Sequence, residues 1–130
     1  MNTYRSDSYS TQGSPTIGPG MLTPFIKWML ISNLAVFIMH NLPRFIGGFP
    51  DLTPLFGLTP SLFLHEFPKY FHQLFSYMFL HAGLGHIFFN MLALWMFGTE
   101  IEHAWGTRSF ARFYFISGLA GAALTLAVSP

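Results

Sequence analysis

The sequence predicts an all-α fold, a polytopic bundle of membrane helices. Hydrophobic residues make up 52% of the 130-residue chain and charged residues only 8%, whereas about a quarter of the residues are charged in an average soluble domain. Three segments, residues 24–42, 84–103 and 108–129, are apolar and long enough to cross a bilayer. We therefore expect an integral membrane protein that is embedded in a lipid bilayer.

The charge and the cysteine content of the chain exclude several classes of function. The net charge is +1 and the chain has no cysteine. Nothing therefore suggests nucleic-acid binding, and neither a disulfide framework nor a thiolate metal site is predicted. No cofactor site is indicated, and the oligomeric state is not predicted. Residues 1–20 are rich in Ser, Thr, Gly and Pro, which predicts a flexible tail before a helical domain at 21–130.

The first span, residues 24–42, has recognisable ends. Pro24 suits the first turn of a helix, where its missing N–H costs nothing. Lys27 can reach the headgroups. Asn33 is expected to hydrogen-bond a neighbouring helix, and Pro43 is expected to end the segment.

The connection over residues 43–83 is broken by Pro and Gly but remains rich in apolar and aromatic residues. Thr59 before Pro60 predicts a capped short helix. A second short helix is expected from residue 70, with breaks at Gly83 and Gly85. This composition indicates a partly helical loop lying in the membrane interface.

The second span is expected to leave the membrane at Glu100 and Glu102 and to end at Gly106. The third span has a second half rich in small residues, which predicts close helix packing. Its small-x-x-x-small pairs are Ser117/Gly121 and Gly118/Ala122.

Polar residues inside the longest uncharged stretch are the candidate site. No Asp, Glu, Lys or Arg occurs from Tyr70 to Thr99, yet this stretch contains His81, His86 and Asn90. A polar residue within an apolar span indicates function. His86 and Asn90 are four residues apart and so share one helix face.

The ordered set around these residues resembles the second transmembrane helix of the rhomboid family of intramembrane serine proteases. It comprises His81, the His86-x-x-x-Asn90 motif at the start of an apolar helix, and Glu102-x-x-x-Gly106. The resemblance implies three helices of a six-helix core, a first loop that dips into the outer leaflet, and transmembrane proteins as substrates.

The resemblance also implies residue roles. His86 and Asn90 would be the donors of the oxyanion site, which stabilise the charge on the attacked carbonyl oxygen. His81 would be a structural histidine of the first loop. Glu102 would tie the loop after the second helix to its neighbours, and Gly106 would allow the turn.

The sequence departs from the family in two places. There is no Gly-x-Ser-Gly motif and no fourth, fifth or sixth helix, so we expect the N-terminal half of a rhomboid, truncated before the catalytic Ser and His and inactive by itself. His72-Gln73 stands where many rhomboids carry Trp-Arg. That departure bears on a loop built around the arginine and leaves the oxyanion site untouched.

Three alternatives remain. The chain could be a non-catalytic rhomboid-like protein that binds transmembrane clients. His86 and Asn90 could merely hold helices together. A metal site is the third, although the spacing of His81, His86 and Asn90 does not match common zinc sites.

The positive charges predict an orientation. Arg5, Lys27, Arg108 and Arg112 lie on the side of the tail, against Arg44 and Lys69 on the other side. This bias favours a cytoplasmic N-terminus in a plasma (inner) membrane, with the first loop outside.

Overall fold

The computed structural model describes residues 21–48 and 50–129, so the tail predicted for residues 1–20 lies outside the described residues. Within the described ranges the chain is all-helical and forms no strand. The helices are α1 (Pro24–Ile46), α2 (Thr53–Phe56), α3 (Pro60–His65), α4 (Gln73–Ser76), α5 (Leu84–Ala93), α6 (Thr99–Trp105) and α7 (Thr107–Val128).

Three helical stretches are long and apolar enough to cross a membrane, which confirms the predicted fold class. They are α1, the continuous stretch Leu84–Trp105, and α7. We call Leu84–Trp105 the second membrane helix; it consists of α5, a π-helical turn at Leu94–Gly98 and α6. Each stretch exceeds about 30 Å at ~1.5 Å per residue, the thickness of the hydrocarbon core.

The first helix is longer than expected. Pro43 was predicted to end it, but α1 continues to Ile46. A proline lacks one N–H and costs most in a helix interior, whereas here less than one turn follows it. Gly47, at φ +82°, closes the helix by donating its N–H to the Pro43 carbonyl at 3.0 Å.

The first loop is partly helical, as predicted, and a buried glutamine joins its short helices. Gln73 is 0% exposed. Its Oε1 accepts the N–H of Thr59 at 3.1 Å, and its Nε2 donates to the Pro54 carbonyl at 2.8 Å. Next to it, His72 Nε2 lies 2.7 Å from the Leu55 carbonyl. His72 and Gln73 thus organise this loop without an arginine.

The predicted short helices are present. Helix α3 begins at Pro60, directly after Thr59, and α4 is followed by a 3₁₀ turn at Tyr77–Phe79. Gly83 precedes the second membrane helix, but Gly85 lies inside it rather than at a break. A glycine in the first turn of a helix is tolerated, because tertiary packing outweighs its intrinsic cost.

The small residues of α7 receive the end of this loop. The hydroxyl of Tyr77 donates to the Gly118 carbonyl. A Cβ built on Gly118 would overlap the side chain of Met78, and one on Gly121 would lie 3.2 Å from the Tyr77 hydroxyl. The close packing predicted for α7 is therefore packing against the loop.

The π-helical turn of the second membrane helix lies against α1. A Cβ on Gly98 would come within 2.6 Å of Ile26 Cδ1, so glycine permits this close approach. The ring of Phe25 packs edge-on against those of Phe110 and Tyr114. These contacts join the start of α1 to the start of α7.

Candidate oxyanion site

His86 and Asn90 lie in the first turns of the second membrane helix, on one face. Both are exposed, whereas Ile87 between them is buried. The apolar Ile87 side chain therefore packs into the bundle, while the side chains of His86 and Asn90 remain accessible. An imidazole N–H and a carboxamide NH₂ can both donate hydrogen bonds.

His81 packs directly against His86. Their ring centroids are 5.1 Å apart with an interplanar angle of 61°. His81 is only 5% exposed, and its Nδ1 lies 3.1 Å from the Phe79 carbonyl. A carbonyl oxygen can only accept, so Nδ1 carries the proton. Burial, reinforced by the neighbouring His86, lowers the pKa of His81 from its usual value, and the ring is neutral at neutral pH.

A wide cleft of about 500 Å³ opens beside the two histidines. It is bounded by the end of α1 and by the first loop, with His40 and Asp51 among its lining residues. Polar side chains therefore line the region in front of His86. A concave surface that carries a few polar groups among apolar ones is typical of a ligand or substrate site.

Thr53 and His40 form a hydroxyl–imidazole pair near this cleft, but the pair does not act as a nucleophile and its general base. Among the hydrogen bonds of residues 21–48 and 50–129, Thr53 Oγ1 lies 3.3 Å from His40 Nε2. The same hydroxyl donates to Asp51 Oδ1 at 2.6 Å. Since its proton goes to the carboxylate, the imidazole can only donate to the threonine oxygen. Activation of a nucleophile requires the opposite direction.

Glu102 lies at the far end of the second membrane helix and is 2% exposed. Its carboxylate accepts the backbone N–H groups of Phe25 and Ile26, each at 3.1 Å, which are free donors in the first turn of α1. The hydroxyls of Thr23 and Thr107 donate to it as well. One side chain thus joins the starts of α1 and α7.

Gly106 separates α6 from α7. Its φ of +82° lies in the region that side-chain-bearing residues rarely adopt. Its N–H donates to the Glu102 carbonyl at 2.8 Å, which closes α6 before α7 begins at Thr107.

Clusters of potential metal ligands were sought in the part of the chain that the structure describes. No group of three or more His, Cys, Asp or Glu residues there is close enough to hold an ion. His81 and His86 form only a pair.

Sequence reasoning identified Asn33 without its partners and missed Tyr114 near the site. Asn33 was expected to bond a neighbouring helix; its Nδ2 donates to the Met29 carbonyl of its own helix at 2.7 Å, and its side chain is also within hydrogen-bonding reach of Tyr114 on α7. Tyr114 received no role, yet it lines a cavity together with Asn33, His81 and Asn90. A tyrosine in an uncharged span carries a hydroxyl that needs a partner, and that signal could have identified it.

Comparison with known proteins places these residues in a family. The model of the Rhomboid domain matches residues 68–130. RHOMBOID-like protein 2 of Arabidopsis thaliana is 33% identical over 77% of this chain and 41% of its own length. Rhomboid protease GlpG of Klebsiella pneumoniae is 34% identical over 74% of this chain and 32% of its own length.

A shorter match points the same way. Rhomboid protease GluP of Bacillus subtilis is 39% identical over 39% of this chain and 10% of its own length. No solved structure matches the chain. The chain spans less than half the length of these relatives. The Rhomboid domain match covers residues 68–130, which include the second and third membrane helices, and this part of the chain belongs to the rhomboid family, a family of intramembrane serine proteases.

Proposed function

We propose that this chain supplies the oxyanion-stabilising part of an intramembrane serine protease that cleaves transmembrane proteins. The observation that carries the proposal is the pairing of His86 and Asn90 on one exposed helix face, with the neutral ring of His81 packed behind His86. Two hydrogen-bond donors thus lie one helical turn apart, with His86 lining the wide cleft and Asn90 lining the smaller cavity beside it.

The chemistry explains why such a pair is useful. Attack on a peptide carbonyl places negative charge on its oxygen, and within a membrane little water is present to stabilise it. Preorganised donors aimed at that oxygen lower the barrier, and loss of one such donor costs about 3–4 kcal/mol in other serine proteases. Neutral donors suit a membrane, because a buried unpaired cation would be costly.

The nucleophile and its base are proposed to lie outside these 130 residues. The sequence contains no Gly-x-Ser-Gly motif, and no serine hydroxyl is hydrogen-bonded to a histidine ring among the described residues. Transition-state donors without an activated nucleophile supply only part of the rate enhancement. We therefore propose that the 130-residue chain alone cleaves nothing.

Reconstitution tests this proposal. The chain would be joined to the downstream part of a rhomboid protease relative that carries Gly-x-Ser-Gly and the partner histidine, and cleavage of a model transmembrane substrate would be followed on gels. We expect activity in the joined protein, none in the chain alone, and strong losses with His86→Ala or Asn90→Ala. The matched controls are His103→Ala and Asn41→Ala, on the same and on a neighbouring helix.

Two results would contradict the proposal. Proteolysis by the 130-residue chain alone would show that the nucleophile had been missed. Full activity in both the His86 and Asn90 variants would return the pair to helix packing. A joined protein that binds the substrate without cleaving it would favour the alternative, a rhomboid-like protein that binds transmembrane clients.

The orientation is also part of the proposal. The excess of Lys and Arg on the side of Lys27 and Arg108 supports a cytoplasmic N-terminus in a plasma (inner) membrane, with the first loop and His86 towards the outside. Reporter fusions after residues 10 and 55 should then give opposite signals, with position 10 inside. The reverse pattern would overturn this orientation.

A further inference from the structure

A polar cavity of about 250 Å³ lies between the three membrane helices and the end of the first loop. Each element contributes one polar side chain to its wall: Asn33 from α1, Asn90 from α5, Tyr114 from α7, and His81 from the loop. A water molecule takes up about 30 Å³ in the liquid, so the cavity has room for several.

Asn33 gives the clearest indication of what the cavity binds. Its side chain is 1% exposed, and its Nδ2 already donates to the Met29 carbonyl. Its Oδ1 is buried, and no group in the described part of the chain hydrogen-bonds it. Buried acceptors are almost always paired, because leaving them unpaired is unfavourable. A donor that reaches Oδ1 from the cavity would meet this requirement.

His81 presents a second acceptor to the same cavity. Its Nδ1–H donates to the Phe79 carbonyl, so the lone pair of the neutral ring is on Nε2. Two acceptors disfavour an anion, and no carboxylate lines the cavity to hold a cation. An apolar ligand would leave both acceptors unpaired. Water is small, neutral and able to donate twice.

We propose that this cavity is a buried hydration site, in which ordered water donates to Asn33 Oδ1 and His81 Nε2. The Tyr114 hydroxyl and the Asn90 carboxamide, which can each donate and accept, complete the hydrogen bonds of the water. The water joins Asn33 of α1 to His81 of the loop and to Tyr114 of α7, with Asn90 at the exposed edge of the cavity. It rests on the cavity alone and does not depend on protease activity.

X-ray hydroxyl-radical footprinting of the chain in lipid nanodiscs tests the proposal, because radicals form from bound water and oxidise the nearest side chains. Three methionines serve as matched reporters. Met78 lines the cavity and Met29 does not; Met29 is buried and Met96 is exposed on the apolar surface. We expect several-fold faster oxidation of Met78 than of either control. If Met78 is oxidised no faster than Met29 and Met96, the hydration site is overturned.

A variant then assigns the acceptor. Asn33→Leu keeps the approximate volume and removes Oδ1, so the Met78 rate should fall several-fold while the Met29 rate stays constant. An unchanged Met78 rate would overturn the role of Asn33. If the variant loosens the fold, the Met29 rate rises too; the comparison of Met78 with its controls in the unaltered chain then decides.

Discussion

The carboxylate of Glu102 accepts the backbone N–H of Ile26 at 3.1 Å, from a position 76 residues further along the chain. The same carboxylate binds Phe25 and the hydroxyls of Thr23 and Thr107. An acidic side chain at a helix N-terminus also interacts favourably with the helix dipole. The second membrane helix thereby holds the other two at one end, while His86 and Asn90 lie near its opposite end.

Glu102→Ala should destabilise the protein by about 2–3 kcal/mol, since it removes a helix cap and leaves buried donors unpaired. The measurement is thermal or denaturant unfolding in detergent. Glu100→Ala is the matched control, because Glu100 is exposed on the same helix and should change stability little. Equal effects of the two substitutions would show that Glu102 is not a specific link.

Gln73→Ala should release the first loop, because Thr59 N–H and the Pro54 carbonyl lose their shared partner. The expected cost is about 1–3 kcal/mol, concentrated in the loop. Limited proteolysis and hydrogen exchange of the Thr59 amide would report it. Ser61→Ala, at an exposed position of α3, provides the control. A loop that stays protected in Gln73→Ala would show that other contacts hold it.

Gly118→Val should displace Met78, since even a Cβ at this position overlaps that side chain. Overpacking of this kind costs about 1–3 kcal/mol. The double variant Gly118→Val with Met78→Ala should recover part of the loss, whereas Ala120→Val on the exposed side of α7 should be nearly neutral. Additive effects of the two substitutions would contradict direct packing between these residues.

His81 predicts a pH dependence of stability. Burial lowers its pKa below the usual value of 6.5, so the unfolded chain binds the proton more readily than the folded one. Stability contributed by neutral His81 is therefore full above pH 6.5 and is lost as the pH falls towards the lowered pKa of the folded state. The unfolding temperatures of the unaltered chain and of His81→Asn would be measured from pH 8 to pH 5. The unfolding temperature should fall more steeply with acid pH in the unaltered chain than in His81→Asn. Parallel curves would exclude His81 as the source.

The sequence predicts the helices well because their signals are local. Uncharged runs mark the spans, and Pro24 and Gly106 mark helix ends. The prediction that Pro43 ends the first helix was wrong, because a proline in the last turn breaks few hydrogen bonds. Periodicity also placed His86 and Asn90 on one face, since four residues make about one helical turn.

Tertiary partners were harder to predict than helices. The small residues of α7 predict close packing, but only the folded loop shows that Gly118 receives Met78. Gln73 carries no periodic signal, and its buried bonds depend on where α2 and α3 lie. Asn33 could equally have bonded a neighbouring helix or its own Met29 carbonyl, and spacing along the chain does not distinguish the two.

In an active protein that contains this chain, His86→Ala and Asn90→Ala should lower turnover far more than stability. Donors to the oxyanion act mainly when charge develops on the carbonyl oxygen, so kcat should fall by roughly 10²–10³ while KM changes little. Both side chains are exposed in the three-helix bundle, so their removal creates no cavity there, and the unfolding temperature should hold.

Cleavage kinetics of a model transmembrane substrate, with unfolding in detergent measured alongside, separate the two roles. Asn41→Ala is the control for the amide, since Asn41 donates only to the Phe37 carbonyl of its own helix. If His86 and Asn90 instead join helices, the alanine variants should unfold at a lower temperature, and their activity should recover when it is measured well below that temperature. A loss of kcat at constant unfolding temperature would assign them to the transition state, because helix packing stabilises the resting enzyme and the transition state equally.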